Sequence, residues 1–197
     1  LGPKGGRDLP PVQASKLFAG VAEYYVDKAD YEQAFEFFRE AIRLDPTNVL
    51  ANTGYSEALA LNGNALLVAD KGEQAKGYFL EAIKFDNKNA AAYFGLGELY
   101  SGTDNQGEAI ASYEKSLATD KGLTEIYVPL GILYYQAGEI AKADDLLTKA
   151  LLTSANSAET QFFLGLIRAA QNRNDEALAA FQKAKTIDPT YPDAYFN

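Results

Sequence analysis

The sequence contains no histidine and no cysteine. Without histidine the chain lacks the side chain best suited to general acid–base work near neutral pH, and without either residue it lacks the usual zinc ligands. Disulfides and thiolate nucleophiles are excluded as well, and such a composition suits a reducing or an oxidising compartment equally. Methionine is missing even at the first position, so a processed form or an excised piece is expected. The location stays open between cytoplasmic and, where a signal segment was removed, periplasmic or secreted. No apolar run is long enough to span a bilayer, so no transmembrane segment is expected. Basic side chains are scarce, with 18 Lys and Arg against 27 Asp and Glu and a formal charge of −9. A surface of that sign repels nucleic acid unless a basic patch is set apart, and no such cluster of Lys and Arg occurs. Nucleophile–base constellations and phosphate-cradling glycine loops are also missing, so the expectation is a protein that is not an enzyme and holds no cofactor and no metal.

What the sequence does contain is a repeat. Residues 90–123 read AAAYFGLGELYSGTDNQGEAIASYEKSLATDKGL, with apolar residues at three- and four-residue steps on both sides of a polar break at 101–107. That is the pattern of two amphipathic helices joined by a short turn. The layout returns, shifted by 34 residues, at 124–157 and 158–191, and it also fits 15–48. Small residues recur on the first helices at Ala22, Ser56, Gly97, Gly131 and Gly165. On the second helices Ala34, Ala75, Ala109, Ala143 and Ala177 recur, followed by the larger Phe38, Phe79, Tyr113, Leu147 and Phe181. Small side chains at fixed places let paired helices approach closely, and the large ones fill the adjoining gaps. Helices of about a dozen residues are marginal alone, so their stability has to come from neighbours.

This period and these positions resemble the tetratricopeptide repeat, a helix–turn–helix unit whose copies stack into a solenoid. The resemblance implies an all-α, right-handed α-α superhelix of five helix–turn–helix repeats plus the start of a sixth. It predicts a tail at 1–14, repeats at 15–48, 49–89, 90–123, 124–157 and 158–191, and a further repeat or capping helix starting at 192–197. One continuous body is expected. Asn52 and Gln161 replace usual aromatics and Arg168 replaces a usual tyrosine, which bears on the packing of the second and fifth repeats.

Four local readings follow from the residues themselves. Pro10 and Pro11 forbid a regular helix through that point of the tail. Asp30, with Gln33 three residues on, is a helix N-cap. Ser56 to Ala75 is 19 residues where the other copies have 12, so seven residues are inserted within 61–72. The insertion either lengthens one or both helices by about a turn or forms a loop broken at Asn62-Gly63-Asn64. Pro129, near the start of a first helix, is expected to produce a local kink.

In the family the resemblance points to, first helices line a concave groove that binds peptide segments. The groove positions carried over are Glu23, Val26, Glu57, Phe94, Glu98, Val128, Ile132, Tyr135, Phe162 and Leu166. Glu23, Glu57 and Glu98 would form a ladder of carboxylates, and the remaining six from Phe94 onward an apolar floor. The partner implied is a protein or peptide that is basic at one end and apolar at the other. The competing reading is a solvated acidic face, with the apolar side chains covered by a terminal helix. Leu66, Leu67 and Val68 form a second candidate surface, against burial within lengthened helices. The residues with which some family members clamp a peptide's terminal carboxylate have no counterparts at Ala19, Glu23, Gly54, Ala91 and Gly95. The alternative to an interaction scaffold is a self-associating module, a homo-oligomer stacked through its solenoid ends.

Overall fold

A computed structural model describes residues 9–103, 105–153 and 157–190. Among these there are ten α-helices and no strand. The helices are α1 (Pro11–Asp27), α2 (Tyr31–Leu44), α3 (Val49–Val68), α4 (Gly72–Phe85), α5 (Ala90–Ser101), α6 (Gln106–Thr119), α7 (Tyr127–Gln136), α8 (Ile140–Thr153), α9 (Ala158–Ala170) and α10 (Asn174–Ile187). They pack as the hairpins α1–α2, α3–α4, α5–α6, α7–α8 and α9–α10, an all-α helical repeat. Residues 1–8 of the expected tail and the expected sixth repeat at 192–197 lie outside the described residues. None of the described helices is long and apolar enough to cross a membrane. Where the repeat pattern predicts one continuous body, the chain groups into two compact units, Leu1–Asp120 and Lys121–Asn197.

Each hairpin turn is built alike. The backbone amide of Asp30 donates to the carbonyl of Tyr25, Lys71 to Leu66, Asn105 to Tyr100, Glu139 to Tyr134 and Arg173 to Arg168. These bonds reach back five residues and satisfy carbonyls that a helix end leaves orphaned. The left-handed residue the turn requires is Gly138 in α7–α8 (φ 78°), but Ala29, Asp70 and Asn172 elsewhere. The Asp30 carboxylate accepts from the Gln33 amide at 3.3 Å, as the capping pattern predicts. After α2, α4 and α10, Asp45, Asp86 and Asp188 accept the amides of Thr47, Lys88 and Thr190 at 3.0, 2.9 and 2.8 Å. These Asx turns fix the exit from those three helices.

In the first unit a shared set of bonds ties each hairpin to the next. Ser15 donates to the carbonyl of Ala41, and Ser56 to that of Ala82, both at 2.8 Å. Asn48 donates to Ser15 Oγ and Asn89 to Ser56 Oγ, again at 2.8 Å. Meanwhile the Asn48 and Asn89 side-chain oxygens cap α3 and α5 at Ala51 and Ala92. Both asparagines are buried, and all their side-chain partners are internal, which makes these polar groups tolerable.

This register corrects the placement of the insertion. The seven extra residues do not lie near the hairpin turn. They lengthen only α3, to 20 residues against 12 in α5, while α4 keeps the 14 residues of the other second helices. Gly63, twelve residues before Ala75, is the small residue facing Phe79: a Cβ there would stand 2.6 Å from the ring. Ser56, expected in that role, instead makes the bond to Ala82. The extra turns therefore lie at the start of α3, and Asn62-Gly63-Asn64 runs through helix because Gly63 serves packing rather than turning. In the other hairpins the expected pairs meet: Gly97 faces Tyr113, Gly131 faces Leu147 and Gly165 faces Phe181, each at 2.8 Å or less to a built Cβ.

Two prolines mark where helices start. The helix α1 begins at Pro11, so residues 11–14 of the expected tail are helical. Proline at the first helical position loses only an amide that has no helical partner anyway. Pro129 is the third residue of α7 and is preceded by a 3-10 turn, Thr124–Ile126. Its ring cannot accept an α-helical approach to the carbonyl of residue 125, and the turn before α7 is accordingly 3-10.

Glycine in the middle of α4 offers a clean test of helix propensity. A Cβ at Gly77 would meet nothing within 4 Å. Gly77→Ala is expected to stabilise the protein by about 0.5–1 kcal/mol, read as a raised urea midpoint at unchanged slope.

Candidate partner-binding surface

The ten groove positions divide equally between the two units, and each unit is taken alone. In the first unit, α3 contacts both α1 and α5, so the three first helices lie in one row. The Ser15–Asn48 and Ser56–Asn89 bonds set residues 33 apart side by side across that row. By that register Glu23 lies level with Ser56, next to Glu57, but Glu98 lies level with Ala65, next to Asn64. The carboxylate ladder is therefore broken, because Glu98 sits two turns, roughly 10 Å, farther along the axis than Glu57.

Glu23, Glu57 and Glu98 are exposed, and Val26 and Phe94 are half-buried. Glu98 is engaged, since it accepts the phenol of Tyr113. Burial, then that carboxylate, push the Tyr113 phenol well above its usual range. Phe94 stacks edge-on to the Tyr113 ring at 5.8 Å. Tyr55 is likewise buried, and its phenol, pushed up to about 12 chiefly by burial, accepts from Arg39 at 2.8 Å and donates to Glu81 at 3.2 Å. Neither phenol titrates near neutrality. Glu23, Asp27 and Glu57, by contrast, have no ion-pair partner among the described residues.

In the second unit Val128, Ile132, Tyr135 and Leu166 are half-buried. Tyr135 meets Phe163 edge-on at 5.9 Å. Phe162, expected on an exposed floor, is 5 % exposed and packs with its ring 5.7 Å from that of Phe181. It is held in the α9–α10 core rather than presented on a surface.

Of the second candidate surface, Leu66 and Leu67 pack against the core of the first unit, while Val68 is 91 % exposed. Leu50 and Leu61 are also exposed, at 63 % and 45 %, and the groove alignment does not include them. Their spacing with Val68, 11 and 7 residues, was the available signal. It places all three on one line of α3, which becomes visible once that helix is known to run unbroken through Gly63.

The residues that depart from the repeat pattern are accommodated locally. Asn52 donates to the carbonyls of Pro46 and Asn48 at 3.1 and 2.9 Å, and Gln161 is buried on α9. Arg168 is the exception: its buried Nε has no hydrogen-bond partner among the described residues and lies 4.0 Å from Glu176 on α10.

Comparison with known proteins bears on this arrangement. Tetratricopeptide-repeat profiles match residues 16–48, 90–122 and 128–192, together about two thirds of the chain. A comparison with curated protein sequences finds no match. Among solved structures, YrrB, described as a TPR protein with an unusual peptide-binding site, superposes with a TM-score of 0.64 at 20 % identity, covering 98 % of this chain and 92 % of that one. MamA from Desulfovibrio magneticus RS-1 gives 0.59 at 17 % identity, covering 90 % of this chain and 97 % of that one. PilF of Pseudomonas aeruginosa gives 0.53 at 16 % identity, covering 89 % and 77 %. The matched spans, the five hairpins and their small-residue contacts agree: the chain belongs to the tetratricopeptide repeat family.

Proposed function

We propose that this protein is a non-enzymatic interaction scaffold that binds a basic, partly apolar polypeptide segment on the first helices of its repeats. A protein-interaction scaffold is the general role of the family. The finer reading rests on the exposed carboxylates Glu23, Asp27 and Glu57, which lack counter-ions among the described residues and lie beside exposed apolar side chains. Carboxylates left open in this way attract a cationic segment, and contiguous apolar surface gives it a dry contact. The peptide-binding site named for YrrB belongs to that protein and supports the reading only as a precedent on the same fold.

The test is titration of the protein with a peptide that combines Lys or Arg with apolar residues, at low and at high salt. Glu57→Gln/Glu98→Gln is expected to weaken binding by roughly 1 kcal/mol, about fivefold, and to flatten its salt dependence. Most of that effect should come from Glu57, since Glu98 is held by Tyr113. Affinity indifferent to both salt and the double substitution would remove the acidic surface from consideration.

A further inference from the structure

The helix α3 is two turns longer than α5, and its outer line carries Leu50, Glu57, Leu61 and Val68. At 100° per residue these four fall within an arc of about 40°. At the intervening positions Asn64 is half-buried and Gly54 borders the line against the Phe38 ring of α2, 2.8 Å from a built Cβ, so it reads Leu50, Gly54, Glu57, Leu61, Asn64, Val68 in alternating steps of four and three. Alternation of that kind is the seam of a two-helix coiled coil. Its apolar members are exposed at 63, 45 and 91 %, and the line runs for 18 residues, roughly 27 Å.

The apolar surface is laid out along α3 and not across the row of helices. A strand crossing the row at Glu57 meets Glu23 on α1 and Ala91 on α5, by the 33–34-residue register. At Leu61 it meets Asp27 and Lys28 on α1 and half-buried Phe94 on α5, and at Leu50 it meets exposed Leu17 on α1. An extended peptide would therefore find at most two apolar contacts per crossing, whereas a helix lying along α3 finds three on one face. Charge chooses among helices. Glu57 stands in the middle of the seam with Glu23 and Asp27 beside it, all exposed and without a counter-ion among the described residues. A second copy of α3 is disfavoured, because parallel pairing sets Glu57 against Glu57, and antiparallel pairing leaves the two carboxylates about a turn apart. Burying like charges together is strongly unfavourable.

We infer that the partner of this surface is an amphipathic α-helix of about five turns that lies along α3, with apolar residues over Leu50, Leu61 and Val68 and a single Lys or Arg at its centre over Glu57. This rests on the binding surface proposed above and specifies what occupies it. A polar residue at one seam position sets the register of the pair, and Glu57 does so here.

The experiment uses the full chain and fluorescence anisotropy with four labelled 21-residue probes. One has leucine at seam spacing and a central lysine, the second carries glutamate in place of that lysine, and the third is the first with two central prolines. The fourth is an extended Lys/Pro/Val peptide. Tightest binding is expected for the helical lysine probe, at least tenfold weaker binding for the other three, and a further loss of at least tenfold in Leu61→Asp. Glu57→Lys should reverse the preference between lysine and glutamate probes. Leu80→Asp, an exposed change on α4, should leave binding within twofold, and circular dichroism should show every variant folded. Equal binding of the helical, proline-broken and extended probes, still sensitive to Glu57, would overturn the helix inference while leaving the acidic surface in place. No binding of any cationic probe would overturn both. A concentration-dependent dimer in sedimentation that Leu61→Asp abolishes would give the seam to a second copy and overturn the inference.

Discussion

Phe79→Ala is expected to destabilise the protein by about 3–5 kcal/mol. Phe79 is fully buried, and its ring fills space left by glycines on two different helices. A Cβ at Gly63 on α3 would stand 2.6 Å from the ring, and one at Gly95 on α5 would stand 2.2 Å from it. Truncation therefore leaves a hole whose walls at these two points are backbone. No side chain is available there to turn inward, so the site collapses poorly and the loss should fall toward the upper end of the range. The measurement is urea unfolding followed by circular dichroism. A loss under 1 kcal/mol would mean that Phe79 does not join the second and third hairpins in the manner described.

Gly95→Ala attacks the same contact from the opposite side, and about 1–3 kcal/mol of destabilisation is expected from overpacking. The added methyl has to displace the aromatic ring, which is itself held against α3 by the close approach at Gly63. The two changes should not add. With Phe79→Leu as the background, part of the space is already open, and Gly95→Ala should cost less there than in the wild type, by at least 0.5 kcal/mol in a double-mutant cycle. Gly77→Ala on α4 is the control for helix propensity, since it makes the same chemical change in open space and should have the opposite sign. If Gly95→Ala also stabilised, propensity would have won and the close approach would be refuted.

The repeat was legible because its small and large positions answer to one physical requirement, close approach of paired helices, at a spacing that recurs. Gly97 with Tyr113, Gly131 with Leu147 and Gly165 with Phe181 all sit where that requirement puts them. The second hairpin was misread because the alignment was carried forward from Ala22 to Ser56. Counting twelve residues back from Ala75 reaches Gly63, which the pattern of the other copies already favours. What hid it was local chemistry, since Asn-Gly-Asn reads as a turn until a ring on the facing helix claims the glycine. The end of the tail was placed too late for a similar reason: proline breaks a helix interior but suits its first residue, and only the location of the first turn decides which applies. At the binding surface, Glu23 and Glu57 were recoverable from the repeat register. Leu50 and Leu61 were not, because their common face exists only if α3 is continuous. The burial of Phe162 depends on Phe181 reaching across from α10, a contact between side chains that no single-helix pattern contains.

The asparagines at the starts of α3 and α5 do two jobs with one side chain, holding the helix that follows and grasping a serine of the hairpin before. The opening of α9 differs: Ser157 receives the amide and hydroxyl of Thr160, three residues away on the same helix. Hairpins at the front of the chain are thus not interchangeable parts. Excising one would strip its neighbour of an anchor, so shortening by a whole repeat is obstructed at the first two junctions.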